Sequence, residues 1–241
     1  MLYLIGLGLN FDSISKRGLE KVKKCKKVYL ENYTVDFPYS KNKLEEVIGK
    51  KIISADRDFV ENLSIIDESA KKDVALLIYG SPLTATTHVT LLDEAKKSRV
   101  KIKVIYNASI FDAVAGTGLQ LYKFGKISSM PKWGGKEKGS YTPDSFMKNI
   151  KDNQSIDAHS LILTDIGLKF PDAIEQLKNA AEKNGVVIKK IVVCQILGTR
   201  QSKILYRDIE GIEEYDIKLP YCIIIPGKLH FMEKEILDHF K

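Results

Sequence analysis

The sequence predicts an α/β protein of two domains, the first on a mostly parallel sheet with helices on both faces, the second on a mixed sheet. Three observations carry this. Apolar runs of strand length alternate with amphipathic helical segments up to about residue 121, the βαβα pattern of an open parallel sheet. The rhythm breaks at YKFGKISSMPKWGGKEKGSYTP (122–143), rich in Gly, Pro and Lys, which reads as a crossover between domains. The last strands, KILYRDI and YCIIIP, follow closely on one another, as mixed pairing allows. The domains are therefore placed at 1–121 and 122–241.

The elements follow in order. Leu2 to Ile5 form an apolar strand that runs into Gly6-Leu7-Gly8, and a helix begins near Ser15. VYLEN (28–32) is a strand, KLEEVIG (43–49) a helix and KIIS (51–54) a short strand; Asp56 to Lys72 is one long amphipathic stretch. VALLIY (74–79) is an unbroken apolar run, typical of a parallel strand buried on both faces. TATTHVTLLDEAKKS (84–98) reads as helix, IKVIYNA (102–108) as strand and SIFDAVAGTGLQ (109–120) as helix. The second half runs DSFMKNIKD (helix), HSLILTDIG (strand), PDAIEQLKNAAEKNG (helix), VIKKIVVCQIL (strand), then the two close strands and a last helix over MEKEILDHF.

Composition narrows the function classes. No apolar run approaches bilayer length. The opening MLYLIGLGLN lacks a basic leader and a small-residue cleavage site, so it reads as a core strand. Cys25, Cys194 and Cys222, far apart in sequence and without C-x-x-C spacing, read as buried reduced thiols of a cytoplasmic protein. The net charge of +7 comes from lysines scattered along helices, a solvated face or a field for an acidic partner. Aromatics do not interleave with these lysines, so no nucleic-acid code is indicated, and no His/Cys/Asp/Glu spacing matches a metal site.

Strand, glycine turn and helix at the start invite comparison with a dinucleotide fingerprint. Phe11 occupies the third glycine position, and no acidic residue stands out as ribose partner, so that motif is weakened. Three strand ends nonetheless carry small or glycine-rich residues: GLGLN, YGSPLTATTH and YNASIFDAVAGTG. Ligands of open α/β sheets bind beyond the carboxyl ends of strands. Each loop alone reads as turn and cap residues, with Ser109 capping a helix. Three on one edge predict a shared ligand. His88 and His230 read as packing or hydrogen-bonding histidines, and no general base is assigned.

Taken together, MLYLIGLGL, VYLENYT, GSPLTATTH, NASIFDAVAGTGLQLYKFGK, YTPDSF and PGKLHFME resemble the diphthine synthase family, within the tetrapyrrole-methylase-like fold. The likeness runs in order from Met1 to about His239. VYLENYT and PLTATTH are its specific stretches; GLG and GSP point only to the wider superfamily. The resemblance implies a homodimer of two-domain chains with S-adenosylmethionine (S-adenosyl-L-methionine) folded between the domains. It implies as methyl acceptor the amino group of a 3-amino-3-carboxypropyl chain on one histidine of translation elongation factor 2. The cofactor contacts it implies are Leu9, Ser81, Thr84, Ser109 and Ile110 in the first domain, and Thr164, Leu197 and Tyr221 in the second. Gly6 and Gly8 would then clear space for a small ligand.

The chain departs from the family pattern in three places. Ser81 stands where the family has aspartate, Gln195-Ile196-Leu197-Gly198 where it tends to have Ala-Arg-Ala-Gly, and Tyr221 where histidine is frequent. Replacing a charge-assisted hydrogen bond by a neutral one would lower cofactor affinity by about one order of magnitude. The rival readings are a methylase of tetrapyrrole-type small molecules, a non-catalytic module that binds the translation machinery, and a nicotinamide oxidoreductase.

Overall fold

The computed structural model describes residues 1–134 and 142–241. It divides into two compact units, Met1–Asp112 and Ala113–Lys241. The division precedes the position near 121 placed by the sequence rhythm, because residues 113–121 make their contacts in the second unit. A side chain at Gly118 would strike Ile236, and the Gln120 N–H donates to Glu233 (3.0 Å). The part of the expected crossover at 135–141 lies outside the described residues.

The first unit holds a five-stranded sheet. Its strands are β1 (Leu2–Gly6), β2 (Lys27–Glu31), β3 (Ile53–Ala55), β4 (Val74–Ile78) and β5 (Ile102–Ile105), in the order β3-β2-β4-β1-β5. Every pairing is parallel. β1 and β4 are buried along their whole length. Successive strand side chains point to opposite faces. Leu2, Leu4, Val74 and Leu76 therefore pack into one core, with Ile65 and Ile66 of α4 (Ser64–Lys71) and Leu91 of α5 (Val89–Lys97). Tyr3, Ile5, Ala75 and Leu77 pack into another, with Val22 of α1 (Lys16–Lys24) and Leu44 and Ile48 of α2 (Lys41–Ile48). Helices cover both faces, as expected.

Helix boundaries follow local chemistry. Ser15 caps α1 by accepting from the Gly18 N–H (3.1 Å), and the Lys50 ammonium gathers carbonyls at its far end, Lys23 at 3.0 Å among them. The long stretch 56–72 is two helices, α3 (Arg57–Glu61) and α4, because Leu63 turns left-handed (φ 66°) between them. The helix expected over 84–98 starts only at Val89; Ala85 has φ 54°, and the threonine-rich segment before the helix stays a loop. The helix expected over 109–120 shrinks to one turn, α6 (Ile110–Ala113), followed by a 3-10 turn that ends at Gly118.

The second unit holds a mixed sheet of order β6-β7-β10-β8-β9. The strands are β6 (Ser128–Met130), β7 (Ser160–Thr164), β8 (Lys190–Gln195), β9 (Lys203–Asp208) and β10 (Tyr221–Ile225). β6 runs parallel to β7, and the other pairs are antiparallel. Residues 128–130 were expected in a crossover; Ser-Ser-Met at a sheet edge carries no apolar run to announce a strand. Ile162, Ile191, Val193 and Ile223 bury against α7 (Phe146–Ser155) and α8 (Phe170–Asn184). The last helix is α9 (Phe231–Asp238). All three cysteines are buried free thiols, and Cys194 and Cys222 are direct cross-strand neighbours although distant in sequence. No helix among the described residues is long and apolar enough to cross a membrane.

A buried charge network ties α9 to this sheet. Glu233, 1% exposed, accepts from Lys123 Nζ (2.5 Å), His159 Nε2 (3.1 Å) and the N–H groups of Gln120 (3.0 Å) and His230 (2.7 Å). His159 Nδ1 accepts from the Gly227 N–H (2.9 Å), so Nε2 carries the ring proton and the imidazole is neutral. Burial pushes the Glu233 carboxyl up, but the bond from Lys123 and the backbone N–H donors outweigh it and hold the group at about 2. Burial pushes His159 below its ordinary value against the pull of Glu233, and burial does the same to His88. Each of these groups binds protons more weakly folded than unfolded, so the stability each contributes is full at high pH and lost as pH falls. The urea midpoint is therefore expected to begin falling below about pH 6.5, as the histidines charge in the unfolded chain, and to fall steeply below about 4.5, where carboxylates follow. A midpoint unchanged between pH 8 and 4 would contradict this.

Candidate functional site

The carboxyl ends of β1, β4 and β5 lie side by side, and their loops are bound to one another by backbone. Leu7 N–H donates to Ile78 O (2.9 Å), Gly8 N–H to Gly80 O (3.1 Å) and Gly80 N–H to Gly8 O (2.9 Å). Asn107, after β5, closes the set. Its amide donates to Gly6 O (3.1 Å) and Ser13 O (2.9 Å), and its carbonyl accepts from Ala108 N–H (2.8 Å).

This geometry corrects the expectation that Gly6 and Gly8 clear room for a ligand. A methyl group on Gly6 would lie 2.6 Å from Gly80 O and 2.9 Å from the Asn107 Cβ. Gly8 has φ +72°, and a methyl group there would lie 2.8 Å from the Ser13 Cβ. The glycines clear space for neighbouring protein chain; they let three loops approach closely enough to make one continuous edge.

The structure brings all five first-unit candidates to that edge. Leu9 is buried and its carbonyl accepts from the Tyr79 hydroxyl (3.2 Å). Ser81 is buried, and its carbonyl accepts from Thr84 N–H (3.1 Å), closing the turn through Pro82 and Leu83. The hydroxyls of Ser81 and Thr84 have no protein hydrogen bond among the described residues. Ser109 donates to Asp112 (2.9 Å) and accepts from Phe111 N–H (3.2 Å), the capping role read from sequence, and Ile110 opens α6. The Ser109 N–H (2.7 Å) and hydroxyl hold the Asp112 carboxyl below its ordinary range, so this edge carries an anion at neutral pH.

The three second-unit candidates also share an edge, at the end of β7, the start of β10 and the turn after β8. Thr164 Oγ1 donates to Tyr221 O (2.8 Å), and Tyr221 pairs with Gln195, two residues before Leu197. The Tyr221 ring points into the core, with its hydroxyl on Leu168 O (2.9 Å) and its edge against Phe170 at 5.4 Å. Tyr221 therefore presents backbone to this edge, and Leu197 follows Ile196, whose φ is 46°.

Two further features escaped the sequence reading. Asn107 is one. The other joins the two most specific stretches, VYLENYT and PLTATTH. Glu31, fully buried at the end of β2, accepts from Tyr33 N–H (3.0 Å) and the Thr34 hydroxyl (2.8 Å). His88, 1% exposed, directs Nδ1 at Pro82 O (3.2 Å), so Nδ1 carries the proton and Nε2 faces the Tyr33 hydroxyl at 3.4 Å. His88 thus makes the hydrogen bonds expected of it, and His230 caps α9. No group of three or more His, Cys, Asp or Glu side chains could hold a metal among the described residues.

A glycine-tightened edge on a parallel sheet, paired with a mixed-sheet unit, is the architecture of a tetrapyrrole-type methylase, and residues 1–212 match the model of the tetrapyrrole (corrin/porphyrin) methylases. Among curated proteins, the chain is 46% identical to the diphthine methyl ester synthase of Saccharomyces cerevisiae, covering 100% of this chain and 89% of that one. It is 39% identical to the diphthine synthase of Methanocaldococcus jannaschii, covering 99% and 98%. A solved structure of diphthine synthase superposes with a TM-score of 0.89 at 31% identity, covering 99% of this chain and 95% of that one. The chain belongs to the diphthine synthase family of methyltransferases.

Asn107→Ala would leave two carbonyls and one N–H of the edge without their partner. Partly exposed bonds of this kind are worth about 1 kcal/mol each at most. A loss of about 2 kcal/mol is expected, which for a chain of this size lowers Tm by roughly 4–8 °C. Thermal unfolding followed by circular dichroism checks it; a shift below about 1 °C would show that the loops do not depend on Asn107.

Proposed function

We propose that this chain transfers methyl groups from S-adenosylmethionine to the amino group of the 3-amino-3-carboxypropyl-histidine of translation elongation factor 2. We propose further that it acts as a homodimer in the cytoplasm. The observation that carries the choice of acceptor is the meeting of VYLENYT and PLTATTH at Tyr33 and His88, with Tyr33 held by Glu31 and His88 by Pro82 within their own stretches. The stretches that separate this family from other methylases form one structure, beside the loop that carries Ser81.

S-adenosylmethionine supplies a methyl group on a sulfonium, activated for in-line displacement by an amine. The residues of the edge suit such a ligand: the unpaired hydroxyls of Ser81 and Thr84 are neutral hydrogen-bonding groups for ribose or the methionine end, and Asp112 is an anion on the same edge. Leu9, Ser109 and Ile110 in the first unit, and Thr164, Leu197 and Tyr221 in the second, are the other residues proposed to hold it. The chain's contribution is to align the acceptor nitrogen with the methyl carbon and exclude water, which turns an encounter into an oriented reaction. Withdrawing the acceptor nitrogen from water beside a cation lowers its pKa, so it attacks as the free amine. Water can take the released proton, and no side chain is assigned to it.

Incubation of S-adenosylmethionine with elongation factor 2 bearing the unmethylated chain should add mass in units of one methyl; free histidine and a precorrin should gain none. Methylation of the precorrin alone would move the acceptor to the small-molecule class. The binding half is tested separately by calorimetric titration. S-adenosylhomocysteine should bind and NAD should not. Ser81→Asp should tighten S-adenosylmethionine by about 1 kcal/mol, the gap between a neutral and a charge-assisted bond. An unchanged dissociation constant would remove Ser81 from the site, and a weaker one would mean that Asp112 already balances the cofactor's charge.

A further inference from the structure

Ser81 and Thr84 stand in a turn whose backbone is anchored on three sides. Gly80 is paired with Gly8, the Ser81 carbonyl accepts from Thr84 N–H (3.1 Å), and Pro82 packs over Gly6, where a methyl group would lie 3.1 Å from its Cδ. The Pro82 carbonyl is taken by His88 Nδ1 (3.2 Å), six residues further along the chain. His88 stands at the start of α5 without capping it; its side chain turns back on its own loop. That loop contains Ala85 at φ 54°, a left-handed conformation unfavourable for a residue with a Cβ. Such a loop keeps its shape where surrounding contacts fix it.

The anchor is itself held from the neighbouring strand end. β2 lies beside β4 in the sheet, so the loop after β2 reaches the loop after β4. There the Tyr33 hydroxyl donates to His88 Nε2 (3.4 Å), with the two rings edge to face and their centroids 6.4 Å apart. Tyr33 in turn is fixed by its N–H on the Glu31 carboxylate (3.0 Å) and by the Arg57 guanidinium over its ring at 5.3 Å. Burial keeps the imidazole neutral against the pull of Glu31 and Glu61. The opposite tautomer would set a bare Nδ1 against a carbonyl oxygen. Partners on both nitrogens leave the ring one orientation, which apolar packing alone does not require.

We propose that His88 is a positioning residue for the cofactor: through the Pro82 carbonyl it sets the turn that presents the Ser81 and Thr84 hydroxyls, and Tyr33 holds it in the tautomer that does so. The role rests on the cofactor reading proposed above and adds to it two residues that act without touching the ligand.

Two substitutions at His88 separate this role from packing. The amide nitrogen of asparagine can take the place of Nδ1, whereas that of glutamine reaches the place of Nε2. In calorimetric titration with S-adenosylhomocysteine, His88→Gln should raise the Kd about tenfold and His88→Asn about threefold at most, since only glutamine leaves the Pro82 carbonyl without its donor. Tyr33→Phe removes a single oxygen and should raise the Kd about threefold. In the wild type at neutral pH, nitrogen chemical shifts of the His88 ring should show Nδ1 protonated and Nε2 bare. A Kd that is unchanged in His88→Gln, or that rises equally in His88→Asn, would reduce His88 to packing and overturn the proposal. A ring protonated at Nε2, or an unchanged Kd in Tyr33→Phe, would overturn it too. Each of these results leaves the proposed function standing. A wild type that binds no S-adenosylhomocysteine would overturn both.

Discussion

Two glycine carbonyls, two glycine N–H groups and one asparagine amide hold the loops after β1, β4 and β5 in contact, and the proposed chemistry depends on that contact. The pairing of Gly8 with Gly80 extends the sheet's hydrogen bonding past the ends of its strands. Asn107 then fastens the third loop to the first. Because no side chain at Gly6 or Gly8 intrudes, Leu9, Ser81 and Ser109 come to one edge on backbone that the neighbouring loops restrain. Backbone held by mutual bonds costs little further ordering when a ligand binds, which is what preorganisation means here.

The second unit solves the same problem with different means. Its sheet is mixed, so an edge must be assembled from the end of one strand and the start of its antiparallel neighbour. Thr164 bonding to the Tyr221 carbonyl does this, while the Tyr221 ring anchors the start of β10 in the core through Leu168 and Phe170. The far edge of the same sheet is fixed by the Glu233 charge network, in which a carboxylate is satisfied by four donors. A buried carboxylate is tolerable only when it is bonded on every side.

Much of this was legible in the sequence because parallel strands buried on both faces announce themselves: LYLI and VALLI became β1 and β4, and VYLE became β2. Helix lengths were less legible where threonine or glycine admits another conformation, as at Ala85 and Gly118. β6 was invisible since Ser-Ser-Met at an edge has no burial pattern of its own. The glycine pair was read as clearing space for a ligand; sequence does not say whose atoms approach, and they are those of Gly80, Asn107 and Ser13. Asn107, Glu31 and Tyr33 escaped for a related reason: a polar residue at a strand end looks the same whether it caps its own loop or bonds across to another. PLTATTH and VYLENYT were recognisable as specific stretches, yet only the fold sets His88 beside Tyr33.

The proposal to test is that S-adenosylmethionine is held by the strand-end residues named for each unit. Hydrogen exchange with mass spectrometry, with and without S-adenosylhomocysteine, tests it most directly. Protection should rise together in segments covering residues 6–13, 79–88 and 107–112 and those covering 163–168, 195–199 and 219–222, and NAD should leave all six unchanged. Protection confined to one unit, or rising elsewhere while these six exchange as before, would contradict the account.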